Sequence, residues 1–149
     1  MIKIRQPLSF SEIGRKDNQE DSLFPTDAGT ETRVFVLCDG MGGHEMGEVA
    51  SGIVASTLGN YLLLFADINK IAFEEALDDA YNALDQMPDN FARKPGTTLT
   101  CLCLNEDSYL VAHIGDSRIY HVRPSLFNPQ TGRGGIIYQS SDHSLVNDL

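Results

Sequence analysis

Basic residues are scarce in this 149-residue sequence, which has 11 lysine and arginine side chains against 21 aspartate and glutamate side chains. The formal charge of −10 argues against nucleic acid or an anionic membrane as the main partner, because both repel an acidic protein. The sequence also has no apolar run of membrane-spanning length and no secretory signal pattern. We therefore expect a cytoplasmic protein whose acidic groups either face solvent or collect cations.

Cysteine is also rare, and its placement argues against the usual cross-links. Cys38, Cys101 and Cys103 lie within apolar runs, which predicts buried, reduced thiols. The spacing of Cys101 and Cys103 is not typical of zinc ligands, so we expect neither a disulfide nor a zinc site. A chain of this length usually forms one domain, and we predict a single domain over residues 1–149.

The stretch VFVLCDGMGGHEMGEVAS, over residues 34–51, contains the strongest local signal. Its apolar start predicts a buried strand ending at Asp39, and four glycines follow before a helical pattern begins. Glycine allows positive φ and lets the backbone approach a ligand closely. Two of the glycines have phosphate-loop spacing, but Glu48 stands where that loop needs lysine. The acidic turn therefore favours Mg²⁺ or Mn²⁺, and a solvated turn with one acid is the alternative.

A second charged stretch, GRKDNQEDS, precedes this strand over residues 14–22. Its adjacent bases, Arg15 and Lys16, come before adjacent acids, Glu20 and Asp21. A charged surface turn is the simpler interpretation. The functional interpretation combines a cation for phosphate with carboxylates for a metal, and arginine offers a bidentate grip on phosphate that lysine lacks.

Hydrophobic periodicity predicts most of the remaining elements. Helices are expected over about residues 47–65 and 73–87, the second stopped by Pro88. Strands are expected over residues 97–104, 109–114, 119–122 and 136–139, with an extended segment over residues 2–13 and a loop over residues 25–32. The sequence Gly115-Asp116-Ser117-Arg118 predicts a tight hairpin. A further helix is expected to begin at Ser141 or Asp142.

Four motifs stand in a fixed order: GRKDNQEDS, VLCDGMGGHEMGEVAS, GTTLTCLCL followed by HIGDSRIYHVR, and SSDHSLV. From about Phe10 to the end, the series resembles the bacterial form of the metal-dependent protein phosphatases of type 2C. The resemblance implies an α+β fold, a sandwich of two antiparallel β-sheets flanked by helices, left incomplete after the DHS motif. It also implies hydrolysis of phosphoserine and phosphothreonine in a phosphoprotein substrate by a centre of two or three Mg²⁺ or Mn²⁺ ions.

The resemblance assigns metal-binding roles by position. Asp39 matches the catalytic acid that bridges two metals, and Gly40 matches the residue whose carbonyl binds one of them. Glu20 matches another ligand of that metal, with Asp21 supporting a nearby water. Asp116 matches the ligand of the third, weaker metal site.

The phosphate-binding residue is less clearly assigned. The arginine of the family falls at Lys16 in this sequence, and Arg15 lies one position earlier. We expect a one-residue bulge to bring Arg15 to the phosphate as a catalytic residue, with Lys16 as the alternative. Met41 stands where eukaryotic relatives have a histidine general acid, so the leaving group is expected to take its proton from water or another group.

The family domain normally continues past the DHS motif and supplies two more aspartate ligands and the strands that complete the sandwich. Three functions stay open: a serine/threonine protein phosphatase, a non-catalytic domain that binds a partner, and a hydrolase of small phosphoesters. We expect the 149-residue chain alone to be weakly active or inactive. We also expect it to self-associate through uncovered sheet edges.

Overall fold

Two helices pack against one face of a five-stranded antiparallel sheet in the computed structural model, which describes residues 2–41, 46–87 and 95–143. The elements are β1 (Asp21–Phe24), β2 (Val34–Met41), α1 (Met46–Leu62), α2 (Lys70–Asp85), β3 (Gly96–Thr97), β4 (Leu99–Leu104), β5 (Tyr109–Ile114), β6 (Tyr120–Val122) and β7 (Ile136–Gln139). Strands β1, β2, β4 and β5 lie side by side, and short β3 extends β4 along the end of β2. Strands β6 and β7 form a separate two-stranded sheet. The predicted α+β class, with antiparallel sheets flanked by helices, is confirmed.

Strand β2 is central, and its side chains alternate between the two faces of the sheet as the period of a strand requires. Val34, Val36 and Cys38 are buried against the helices. Leu37 and Asp39 point to the opposite face, where Leu37 is 39% exposed. The predicted strand is confirmed, but it continues to Met41, so Asp39 lies inside the strand and not at its end.

Helix α1 covers the sheet with small and aliphatic side chains at helical spacing. Its buried residues are Gly47, Ala50, Ser51, Val54, Ala55, Leu58, Gly59 and Leu62. Val49 is 43% exposed because the buried face of the helix includes the next residue, Ala50, instead. A Cβ atom on Gly59 would lie 2.2 Å from the Phe24 ring, so β1 packs directly on the helix backbone.

The predicted helices are confirmed with shifted ends. Helix α1 ends at Leu62 instead of residue 65, because Leu64 and Phe65 follow in a tighter turn with backbone bonds three residues back. Helix α2 begins three residues earlier than predicted, where the Asn69 side chain caps it by accepting a hydrogen bond from the Ala72 N–H. The predicted stop at Pro88 lies outside the described residues.

The first part of the chain differs from the prediction in two respects. Strand β1 was not predicted, because its acidic start resembles a surface turn. Residues 2–13 form no strand, and Leu8 and Phe10 are 94% and 87% exposed. The predicted loop over residues 25–32 is confirmed, and the predicted strand over residues 97–104 is interrupted at Thr98.

The predicted hairpin over residues 115–118 is also wrong. Strand β5 pairs with β4, and β6 pairs with β7, so this segment connects the two sheets. The physical reason is that the Gly115 backbone turns with φ of 96° and pairs with His143 instead of closing a ladder. Residues 141–143 are not helical, and residues 144–149 lie outside the described part of the chain.

The three cysteines are buried and free, as predicted for thiols of the core. None of the helices in the described parts of the chain is long and apolar enough to cross a membrane.

Candidate metal and phosphate site

Four acids that the sequence singled out interact electrostatically around Asp39 of β2. Asp39 on β2 lies directly opposite Asp21 on β1, and opposed residues point to the same face of a sheet. Burial of the Asp39 carboxyl, followed by the charge of Asp21, raises its pKa above the ordinary value. The ammonium of Lys16 opposes this effect, while Asp116 and Glu20 raise the pKa further. The structure therefore brings these acids within electrostatic reach of one another.

The backbone of Glu20 is fixed by two hydrogen bonds to its carbonyl oxygen. The Gly40 N–H donates at 3.0 Å, and the Ser51 hydroxyl donates at 2.6 Å. Ser51 is fully buried on α1 and also lies 2.9 Å from the Ser22 hydroxyl. Ser51 was not among the predicted site residues, because a serine within a helical pattern gives no sign of a partner 31 residues away.

The end of β2 touches the first turn of α1 through glycine backbones. A Cβ atom on Gly40 would lie 1.9 Å from the Gly47 carbonyl oxygen, and one on Gly47 would lie 2.8 Å from the Glu20 Oε1 atom. Neither glycine is among those with positive φ, so close approach is what requires glycine at both positions. The rest of the predicted glycine turn, residues 42–45, lies outside the described residues.

Thr98 connects Asp39 to the segment that carries Asp116. The Asp39 N–H donates to the Thr98 hydroxyl at 3.0 Å, and the Thr98 N–H donates to the Asp39 carbonyl at 2.9 Å. The Thr97 hydroxyl also donates to that carbonyl at 3.0 Å. The Thr98 hydroxyl lies 2.7 Å from the Ser117 hydroxyl. Threonine is ordinary in a strand, so no local pattern indicates this bridge.

Asp116 lies exposed on the connection between the sheets, which is held from outside by residues of the DHS motif. Arg118 donates to both oxygens of Asp142, at 2.7 and 2.5 Å, and this contact lowers the pKa of the Asp142 carboxyl. The His143 N–H donates to the Gly115 carbonyl at 3.0 Å. These bonds fix the backbone next to Asp116 from two directions.

The two adjacent cations lie in different environments. The Lys16 ammonium lies 2.7 Å from the Glu20 Oε2 atom, and this hydrogen bond is the main reason why its pKa is raised. Arg15 is exposed and makes no ion pair with any residue in the described ranges. Of these two cations, Lys16 is therefore the one with an ion-pair partner among the described residues.

The donor set fits a hard cation. Carboxylates surround Asp39, and the glycine contact leaves backbone carbonyls at the same place. Within residues 2–41, 46–87 and 95–143, no three histidine, cysteine, aspartate or glutamate side chains converge closely enough to hold one ion by themselves. Mg²⁺ normally keeps several waters beside one or two carboxylates, so this arrangement suits it.

Comparison with known proteins identifies the family. The sequence profile of protein phosphatase 2C matches residues 11–133, and the chain belongs to this family. The protein phosphatase PhpP of Streptococcus pneumoniae serotype 2 (strain D39 / NCTC 7466) is 34% identical over 149 residues, covering 94% of this chain and 56% of the relative. The chain thus spans just over half the length of this relative.

Solved structures agree with the fold. The catalytic domain of the serine/threonine protein phosphatase PstP, in complex with two manganese ions, has a TM-score of 0.66 and 27% identity. The match covers 99% of this chain and 56% of that one. Serine/threonine phosphatase Stp1 from Staphylococcus aureus has a TM-score of 0.66 and 29% identity, covering 99% of this chain and 59% of that one.

The glycine contact gives a first testable prediction. Gly40→Ala should destabilise the protein by about 1–3 kcal/mol or more, because the new methyl group would meet a carbonyl oxygen of the backbone. Gly52→Ala is the matched control on α1, where the nearest atom to a new Cβ is the Ser22 hydroxyl oxygen at 3.8 Å. That change should stabilise the helix by up to about 1 kcal/mol. Urea denaturation of both variants measures the difference, and equal stabilities would contradict the contact.

The charge around Asp39 gives a second prediction. Because the pKa of Asp39 is raised in the folded state, binding of a proton to this carboxyl stabilises the folded protein. This contribution to the free energy of unfolding is complete below the ordinary pKa of 3.8 and is lost as the pH rises through the folded-state pKa. Asp39→Asn should therefore melt at a higher temperature than the wild type at pH 7 without metal. The two melting temperatures should converge below pH 3.8. Asp27→Asn, on the loop after β1, is the control, and a less stable Asp39→Asn at pH 7 would refute the repulsion.

Proposed function

We propose that this chain is part of a metal-dependent serine/threonine protein phosphatase that hydrolyses phosphoserine and phosphothreonine in phosphoprotein substrates. The observation that carries the proposal is the placement of Asp39 directly opposite Asp21 and next to the close approach of the Gly40 and Gly47 backbones, with the Glu20 carbonyl bound to Gly40. The raised pKa of Asp39, to which Glu20 and Asp116 contribute, supports it. The family and the names of its relatives give the reaction class. PhpP is called a protein phosphatase, and PstP is called a serine/threonine protein phosphatase.

The residues of this chain would divide the binding of two or three Mg²⁺ or Mn²⁺ ions. Asp39 would bridge two of them, the Gly40 carbonyl and Glu20 would bind one, and Asp21 would orient a water. Asp116 would bind a third ion more weakly. The bound ions would supply an activated water and neutralise phosphoryl oxygens.

Phosphate binding and protonation of the leaving group would depend on groups other than the acids. Arg15, which is exposed and directly precedes Lys16 in the chain, would bind the phosphoryl group through its planar fork. Met41 is 57% exposed and has no proton to donate, so the leaving oxygen would take its proton from water or another group. Because the bound ions would supply an activated water, no side-chain nucleophile would be needed.

The protein would act in the cytoplasm on protein partners. The acidic surface disfavours nucleic acid and anionic membranes, and the buried thiols suit the reducing cytoplasm. The second sheet leaves Ile136, Ile137 and Tyr138 between 44% and 55% exposed. This apolar strand offers an uncovered edge for self-association.

Metal-dependent phosphate release tests the function. The 149-residue chain should hydrolyse a phosphothreonine peptide weakly with Mn²⁺, because it offers Glu20, Asp39 and Asp116, a formal −3, against two divalent ions. Asp39→Asn should lower the rate at least about 100-fold, since even residues behind the metal ligands contribute 10–100-fold in such sites. Asp27→Asn should keep the rate. Equal activity of Asp39→Asn and wild type, or hydrolysis without metal, would refute the proposed centre.

The phosphate-binding residue is tested in the same assay. Arg15→Ala should raise the KM for the phosphopeptide more than Lys16→Ala does, because Arg15 is unpaired among the described residues and Lys16 is bound to Glu20. A bidentate arginine contact also exceeds that of a lysine point charge. The reverse ranking would show that Lys16 takes the position of the family arginine directly.

A further inference from the structure

We propose that the Lys16 ammonium is a tethered competitor for the metal site, which holds Glu20 in the metal-free protein and must leave before a divalent cation binds. This inference rests on the proposed function, since it needs Glu20 to be a metal ligand. It adds a role that phosphate binding does not require. Lys16 would set the metal affinity of the protein and not its catalytic chemistry.

The Lys16 ammonium lies on the side of the Glu20 carboxylate that does not face helix α1. The Oε1 atom lies against α1, where a Cβ on Gly47 would be 2.8 Å away. The Oε2 atom is 2.7 Å from the Lys16 Nζ atom. The Glu20 side chain is only 18% exposed, while that of Lys16 is 58% exposed. An ion approaching Glu20 from solvent therefore meets the ammonium first.

Lys16 also interacts electrostatically with Asp39 and Asp21. An ion pair on helix α2 shows how the contact of Lys16 with Glu20 differs from an ordinary surface pair. Lys70 and Glu74 have the same four-residue spacing, but they lie 3.5 Å apart with side chains 83% and 57% exposed. Lys16 thus interacts with two of the proposed metal ligands, Glu20 and Asp39, and with Asp21, which would orient a water. It supplies one positive charge to this group of carboxylates.

The contact between Lys16 and Glu20 can break and form again because the lysine side chain is flexible. Lysine carries a compact ammonium on four methylene groups and can leave without moving the backbone. Exposed ion pairs are weak, so a divalent cation can displace the ammonium. Removing the positive charge of Lys16 should therefore tighten metal binding about three- to tenfold. The effect is moderate because solvent and salt screen the interaction between an exposed ammonium and the nearby charges.

Isothermal titration of Mn²⁺ into the metal-free 149-residue protein tests this inference. Lys16→Met should lower the Kd about three- to tenfold. Lys16→Arg, which keeps the charge, should bind close to the wild type. Lys70→Met is the matched control, because it removes the same charge from a pair of the same spacing outside the site, and it should leave the Kd unchanged.

A spectroscopic measurement reports on Lys16 itself. The side-chain ¹⁵Nζ signal of Lys16 should shift as Mg²⁺ saturates the protein, while the Lys70 signal in the same spectrum stays in place. Asp39→Asn should abolish the shift. Equal Kd values for wild type and Lys16→Met, with binding still lost in Asp39→Asn, would overturn the competitor role and leave the proposed function standing. Absence of metal binding in every variant would instead overturn the proposed function.

Discussion

Contact between two glycine backbones sets the geometry on which the site depends. Gly40 at the end of β2 and Gly47 in the first turn of α1 approach so closely that neither position has room for a Cβ atom. The approach brings the Ser51 hydroxyl to the Glu20 carbonyl, which the Gly40 N–H also binds. Strand β1, strand β2 and helix α1 thus meet at one point. The acids are placed by packing of the backbone, and their own side chains contribute little to holding the elements together.

The gathered acids oppose folding when no cation is bound. Burial and neighbouring carboxylates raise the pKa of Asp39, which means that its ionised form is less favourable in the folded protein. Lys16 offsets part of this repulsion. A site that binds divalent cations must keep such unfavourable charge, because removing it would also remove the attraction for the ion. The Lys16 ammonium also interacts with Glu20 and Asp21, so it reduces the repulsion within the whole group of carboxylates.

The sequence predicted the elements with strong periodicity and the acids with specific motifs. Strand β2, both helices and strand β7 have apolar patterns from which hydrophobic periodicity predicts them correctly. Strand β1 was missed because four residues with an acidic start carry too short a pattern. Residues 115–118 look like a hairpin, yet they connect two sheets because Gly115 bonds to His143, 28 residues away. The contacts of Ser51 and Thr98 depend on which elements meet in space, and no local pattern records that. The motif order pointed to Asp39, Glu20 and Asp116 together, whereas the contact between Lys16 and Glu20 needed coordinates.

The glycine content of α1 links assembly of the site to folding of the core. Gly47, Gly52 and Gly59 lie within 17 helical residues, and each lowers intrinsic helix stability by about 1 kcal/mol relative to alanine. An isolated helix of this length is marginal even with good helix formers, so α1 depends on its partners for order. Gly59 accepts the Phe24 ring at one end of the helix, and Gly47 accepts the end of β2 at the other. Helix, strand β1 and strand β2 therefore become ordered as one cooperative unit, and Glu20, Asp21 and Asp39 come together in the step that closes the core.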